Sequence, residues 1–158
     1  MNNQSKSSWM HMKQRALFTV LLLFVFSPVW AADAALERLL QARNLKCTFG
    51  PGTVAKWETA KPKFESDFYG KSVQYQLIDK KNGKARYLNE AGTGDLEMMV
   101  GAYGVTLTER FVAGVSITTI FSEHKKGTLQ FVAVLSRHVN LLGLPWTSQY
   151  QGTCVVVE

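Results

Sequence analysis

The residues best suited to catalysis in this 158-residue chain are Ser136 and His138, which flank Arg137. A serine and a histidine supply the residue types of a nucleophile and its general base. At a spacing of two on a strand, however, the two side chains point in parallel rather than toward each other. No Gly-x-Ser-x-Gly motif surrounds Ser136, which removes the usual strained turn of a nucleophilic serine. We therefore interpret the triplet as a strand end that opens a loop over residues 137–148, and we expect no catalytic residue.

Metal and cofactor sites are not predicted. Glu123 and His124 are adjacent, but two ligands fall short of the three or four that a zinc site needs. The turn that contains them, residues 123–127, is predicted to be a solvated hairpin tip. The segment Gly92-Thr93-Gly94 lacks the lysine and the following helix of a phosphate-binding loop. We therefore predict neither a metal nor a cofactor.

The two cysteines, Cys47 and Cys154, lie near the two ends of the predicted domain. Exported proteins in an oxidising compartment usually pair such residues. A bond between them would close nearly the whole domain into one loop and would place the first and last strands side by side. The alternative is a free thiol or an intermolecular pairing.

Residues 1–31 have the pattern of a secretory signal peptide. Lys13 and Arg15 precede a short apolar run over residues 16–26, and small residues follow it. Cleavage is predicted after Ala31, with Ala34 as an alternative. We therefore predict export, to the periplasm or, alternatively, out of the cell. Met1, Met10 and Met12 are alternative starts.

Charge and strand length limit the partners of the mature chain. The formal net charge of the whole chain is +6, and it falls to +3 when Lys6, Lys13 and Arg15 leave with the signal peptide. The densest basic cluster, Lys80, Lys81 and Lys84, surrounds a predicted turn. Nucleic-acid binders show a basic stripe with interleaved aromatic residues instead, so no nucleic-acid partner is expected. The predicted strands are short for a membrane span and form no aromatic girdle, so no stable membrane insertion is expected.

The elements that position these residues are one helix and many short strands. A short helix is predicted over residues 32–44, with Asp33 as its cap. From there the apolar period changes to two, and Asn82-Gly83 favours a tight hairpin turn after the alternating residues 73–77. The same pattern repeats to the end of the chain. We predict a single all-β domain, 45–158, of eight or nine antiparallel strands, either an up-and-down barrel or a two-layer sandwich.

Aromatic residues and one apolar loop are the remaining candidates for binding. In a barrel, aromatic side chains line a cavity or its mouth, although they more often form core and rim. The predicted connection over residues 139–147 is rich in leucine, so we expect it to form a lid or an exposed contact for a partner. The candidate contacts are Trp57, Tyr75, Arg137, His138, Leu144, Trp146 and Tyr150.

Two motifs of the C-terminal half are Ser136-Arg137-His138 and the segment from Ser148-Gln149 to Gly152-Thr153-Cys154. Together with a cysteine ahead of the first strand, Cys47, they resemble an uncharacterised family of small exported bacterial proteins. The resemblance covers about Cys47 to Cys154. It implies bacterial export and a single β-domain, and it implies no activity.

These features predict a small exported binding or interaction module closed by a disulfide. The expected partner is a small apolar or sugar-like ligand, or a protein of the cell envelope. Two alternatives stay open: a small envelope hydrolase that uses Ser136 and His138, and a structural envelope protein without a discrete site.

Overall fold

The computed structural model describes residues 29–57 and 61–158, with side chains from Ala34 onward. The chain divides into two units, Met1–Asp33 and Ala34–Glu158. Of the first unit, only the helical backbone from Val29 is described. Most of the predicted signal peptide, residues 1–31, therefore lies outside the described residues, and its cleavage after Ala31 stays a prediction.

Eight antiparallel strands form one closed sheet. Each strand pairs with the next along the chain, and the last pairs with the first. The all-β prediction is confirmed, and of its two architectures the barrel is the one observed. The elements are α1 Val29–Gln41, β1 Asn44–Trp57, β2 Pro62–Asp79, β3 Lys84–Asn89, β4 Gly92–Gly101, β5 Gly104–Phe111, β6 Gly114–His124, β7 Phe131–Leu141 and β8 Leu144–Val157.

The helix differs in its limits from the predicted 32–44. It begins at Val29, which places Asp33 inside the helix rather than at its cap, and it ends at Gln41. Asn44 is the first residue of β1 because it pairs with both Gln76 and Val157. Cys47 accordingly lies within the first strand rather than ahead of it.

The predicted hairpin at Asn82-Gly83 is confirmed. Strands β2 and β3 flank it, and Gly83 adopts a positive φ of 66°. The Asp79 carboxylate accepts hydrogen bonds from the backbone N–H of Asn82 at 3.0 Å and from its side-chain amide at 2.7 Å. Only Gly83 of the dipeptide has positive φ, so the chain reverses through a four-residue turn, 80–83, rather than the two-residue turn that Asn-Gly favours.

The predicted loop over residues 137–148 is instead a second tight hairpin. Strand β7 continues to Leu141 and β8 begins at Leu144, so that only Leu142 and Gly143 form the turn. Both have positive φ, 54° and 86°, as a two-residue hairpin turn requires. The side-chain oxygen of Asn140 accepts a hydrogen bond from Gly143 N–H at 2.8 Å. The prediction that residues 139–147 form a lid is therefore wrong, because most of their backbone is paired between β7 and β8 in the sheet.

Leu142 is expected to strain this turn, and replacing it should stabilise the protein. A leucine in the left-handed region costs free energy that asparagine largely avoids. We expect Leu142→Asn to raise the free energy of unfolding by about 1 kcal/mol, measured by urea denaturation. Leu141→Asn, one position earlier at a strand residue, should give no such gain. A lower midpoint for Leu142→Asn than for the natural chain would contradict the argument.

The helix closes one end of the barrel. Leu39 is fully buried in the same core as Leu45, Leu77 and Phe131. The carbonyl oxygen of Arg43 accepts a hydrogen bond from Leu77 N–H at 2.8 Å, so sheet pairing begins almost directly after the helix. Burial of leucine side chains at this end removes apolar surface from water. We call this the closed end and the opposite one the open end.

The disulfide between Cys47 and Cys154 is confirmed. The two residues are direct partners across β1 and β8, so the first and last strands lie side by side as predicted. Both are fully buried in the core. The bond joins residues 107 positions apart in the sequence.

Three interior glycines lie opposite aromatic residues on the neighbouring strand. At each of them a Cβ atom would collide with the facing ring. The rings therefore occupy the space that a side chain on the partner strand would fill, an arrangement that pins strand register. The pairs are Phe49 with Gly152, Tyr150 with Gly52, and Tyr87 with Gly94.

Candidate functional site

The open end of the barrel contains a cavity of about 290 Å³, which we call the mouth cavity. Strands β2 to β7 supply its walls. Its lower part is apolar, with Val73, Leu96, Leu107 and Leu135. Its polar lining residues are Tyr69, Tyr75, Tyr87, Asn89, Glu109, Ser116, Thr118 and Arg137.

Two cross-strand rows organise this lining. Glu109, Ser116 and Arg137 are successive partners on β5, β6 and β7. One step deeper, Leu107, Thr118 and Leu135 are successive partners on the same strands. Because side chains alternate between the two faces of a strand, both rows face the interior. The cavity therefore has a charged upper row above a mostly apolar floor.

Two tyrosines fix the floor and one side of the cavity. The Tyr75 hydroxyl lies 2.8 Å from the Thr118 hydroxyl, and burial raises the pKa of Tyr75. The hydroxyl of Tyr87 donates a hydrogen bond to the Glu109 carboxylate, and this bond, followed by burial, raises the pKa of Tyr87. Both phenols therefore stay protonated at neutral pH.

The Tyr75 and Thr118 pair should show strong coupling. Tyr75→Phe leaves the buried Thr118 hydroxyl without its partner, which should cost about 1–3 kcal/mol of unfolding free energy. Thr118→Val should have a similar effect on Tyr75. The double variant Tyr75→Phe/Thr118→Val should be more stable than the sum of the single changes predicts, because no polar group is then left unpaired. Additive losses in urea denaturation would contradict a direct bond.

Arg137 carries a positive charge that is not neutralised locally. No described carboxylate lies within ion-pair distance of its guanidinium, whereas Arg86 and Arg110 are paired with Asp95 and Glu97 on the outer surface. The charge of Arg137 reaches Tyr150, whose pKa it lowers slightly against the larger upward effects of burial and of Asp67. The upper row thus holds a cation that forms no ion pair with any residue in the described part of the chain.

The wall beside the cavity is held by an aromatic stack and one short hydrogen bond. The Tyr69 ring lies between the rings of Phe49 and Tyr150, with centroids 6.1 Å and 5.1 Å away. The Tyr150 hydroxyl donates to the Asp67 carboxylate at 2.6 Å. This bond, with a second one from the backbone of Phe68, lowers the pKa of Asp67. Tyr150 therefore supports Tyr69, which lines the cavity.

The Asp67 contact predicts part of the acid sensitivity of the fold. A carboxyl group whose pKa is lower in the folded than in the unfolded state stabilises the fold above its unfolded pKa, and this contribution is lost as pH falls through the folded pKa. Asp67→Asn should therefore lose less stability than the natural chain between about pH 6 and about pH 2. The measurement is the urea midpoint at both pH values. An acid dependence of Asp67→Asn equal to that of the natural chain would contradict the prediction.

Above the cavity, strands β1, β2 and β8 extend past the open end. The Lys56 ammonium lies 4.8 Å from the centre of the Trp146 ring and 3.0 Å from the Glu65 carboxylate. Lys63 lies 2.9 Å from the other oxygen of Glu65. These contacts form a rim of mixed charge with one partly covered tryptophan.

The structure separates the seven sequence-predicted contact residues. Tyr75 and Arg137 line the mouth cavity. Tyr150 adjoins it through Tyr69, and Trp146 contacts Lys56 on the rim. Three others lie elsewhere: Trp57 and Leu144 are exposed at strand ends, and His138 faces a shallow groove on the outside of the barrel.

The Ser136 and His138 pair lies on the outer face of β7. The Ser136 hydroxyl accepts a hydrogen bond from the Gln149 amide at 3.4 Å, and no hydrogen bond joins Ser136 to His138 in the described part of the chain.

His124 also differs from its expected place in a solvated tip. Its ring packs 4.8 Å from that of Phe131, and its Nε2 is buried without a partner among the described residues.

Sequence reasoning missed Glu109, Ser116, Tyr87 and Asn89 as lining residues. One signal was present for Glu109: the inward positions of β5 run Val105, Leu107, Glu109 and Phe111. A carboxylate at an inward position of an apolar alternation is costly unless it has a partner or a role.

Comparison with known proteins does not change this description. No family model, curated protein or solved structure matches the chain. The resemblance to small exported bacterial proteins therefore stays a prediction. Within the described residues, no helix has the length and apolar character needed to cross a membrane.

Proposed function

We propose that this protein is a small-ligand-binding barrel that acts outside the cytoplasm and holds its ligand in the mouth cavity. One observation carries the proposal: the end of the barrel that the helix leaves open contains a cavity with a charged row above an apolar floor. Binding sites for small molecules combine apolar surface with placed polar groups, and the large polar share of this lining favours a polar ligand.

The size and rigidity of the cavity support a small ligand. Its volume of about 290 Å³ lies at the lower end of the range typical of ligand sites. Its walls are strands of a closed sheet tied by a buried disulfide, and a preformed site loses little entropy on binding. We therefore expect binding without a large change of backbone.

The location outside the cytoplasm is supported by two features. Disulfides persist in oxidising compartments and are rare in the cytosol, and this fold contains one. The N-terminal sequence has the pattern of a signal peptide.

Native mass spectrometry of the full chain, purified from producing cells, tests the proposal. We expect an additional mass that leaves on denaturation. Ser116→Phe places a ring in the cavity and should abolish that mass. Ser136→Phe is the matched control because Ser136 faces the outer surface, and it should retain the mass.

A thermal-shift screen of small polar metabolites covers ligands that are lost in purification. At least one compound should stabilise the natural chain and Ser136→Phe but not Ser116→Phe. If no mass is retained and no compound stabilises the natural chain, the proposed function is wrong. Equal loss in both serine variants would also contradict it, because the site would then lie outside the cavity.

A further inference from the structure

We propose that the ligand carries a carboxylate, bound by Arg137, and a hydrogen-bond donor, an amino or hydroxyl group, bound by Glu109. This inference rests on the proposed function and specifies its ligand. Two kinds of small molecule share this chemistry: amino acids and dipeptides, and sugar acids.

The Arg137 guanidinium points to an anionic group. It lines the cavity, and no described carboxylate is within ion-pair distance of it. A guanidinium has five donors in a fixed fork that matches a carboxylate with two parallel hydrogen bonds. Among the described residues that line this cavity, Arg137 is the one that carries a positive charge.

The Glu109 carboxylate points to a donor on the same ligand. It accepts one hydrogen bond from Tyr87, and an ionised carboxylate has about four acceptor positions. It forms no ion pair with a described lysine or arginine. Glu109 therefore has free acceptor capacity toward the cavity.

The separation of the two charges fits one small molecule. Glu109 and Arg137 are two strands apart, with Ser116 between them. Neighbouring strands are about 4.8 Å apart, which places the two backbones about 10 Å apart. Their long side chains extend into the same cavity yet do not pair with each other. A molecule with a donor and a carboxylate a few bonds apart bridges this gap, and the Ser116 hydroxyl can contact its middle.

Isothermal titration of the full chain with four probes tests the inference. Glycyl-leucine and glucuronate carry both groups, whereas glycyl-leucinamide and glucose lack the carboxylate. At least one carboxylate probe should bind, and about tenfold or more tightly than its counterpart without the carboxylate, as expected for a charge-assisted hydrogen-bonded pair. Which of the two binds identifies the source of the ligand.

Variants of the charged row separate its two roles. Arg137→Gln should lower the affinity for the carboxylate probe about tenfold and leave the affinity for the probe without a carboxylate unchanged. Arg137→Lys should retain part of the affinity. Glu109→Gln should weaken the dipeptide more than the sugar acid, because loss of the carboxylate charge removes an ion pair with the ammonium of the dipeptide, whereas a hydroxyl group loses only part of a hydrogen bond. Arg110→Gln, at an exposed arginine on the outer face, is the matched control and should bind like the natural chain.

This inference would be overturned if probes with and without the carboxylate bound equally, or if Arg137→Gln left the affinity unchanged. Neither result would contradict the proposed binding function. Failure of all four probes would also overturn it. The retained mass and its loss in Ser116→Phe then decide separately whether the cavity binds a ligand of another class.

Discussion

Reduction of the Cys47–Cys154 bond is expected to lower the free energy of unfolding by about 4 kcal/mol. The bond joins residues 107 positions apart, so it restricts nearly the whole domain in the unfolded state. In the chain-entropy model, a loop of about 100 residues contributes close to 5 kcal/mol, and native bonds often deliver somewhat less. The folded state should change little, because β1 and β8 remain paired by their backbone hydrogen bonds.

The measurement is urea denaturation of the same chain with and without a reductant. Because reduction leaves both sulfur atoms in the core, this comparison avoids the cavity that a substitution would create. The double variant Cys47→Ala/Cys154→Ala is the control, since the reductant should not shift its midpoint. A loss below about 1 kcal/mol in the natural chain would mean that the unfolded state is already compact.

Phe49→Ala is expected to lower the free energy of unfolding by about 3–5 kcal/mol. Phe49 is fully buried, its ring faces Gly152 across the sheet, and its edge contacts the Tyr69 ring. Truncation removes apolar contacts and leaves a void that backbone atoms of a closed sheet cannot fill. Because Tyr69 lines the mouth cavity, the same change should also weaken ligand binding.

Phe64→Ala is the matched control for this prediction. Phe64 lies on β2 and is 73% exposed, so its truncation should change the unfolding free energy by less than about 1 kcal/mol. Phe49→Leu should retain most of the stability, because it keeps much of the buried volume. If Phe49→Ala and Phe64→Ala were equally stable, the ring of Phe49 would not be part of a close-packed core.

Local chemistry made several elements of this fold predictable. Asn82-Gly83 has the conformational preferences of a hairpin turn, and the structure has the turn there. Cys47 and Cys154 left a single intramolecular pairing, which is the one observed. The turn at Leu142 could not be predicted in this way, because leucine disfavours the positive φ that it adopts there. In that hairpin, the pairing of β7 with β8 overrides the local preference.

The candidate site could be predicted only in part because it depends on strand register. Glu109, Ser116 and Arg137 are distant in the sequence and become neighbours through two separate strand pairings. A register shift after Phe49 in β1 also changes which residues face inward, so that Phe49 and Val54 are both buried. Simple alternation fails across such an irregularity. Arg137 and Tyr75 were named from the sequence, but their shared cavity was not.

The pairing of aromatic rings with glycines affects the volume of the cavity inside the barrel. Where a ring lies over a glycine, as Tyr87 does over Gly94, the ring packs against the neighbouring strand instead of projecting toward the barrel axis. Tyr87 therefore serves as a wall of the cavity rather than as a plug. A methyl group at Gly94 would push this ring inward and narrow the cavity without altering any residue of the charged row. Under the proposed binding function, we therefore expect Gly94, a position that has no side chain, to influence the size of ligand that the cavity accepts.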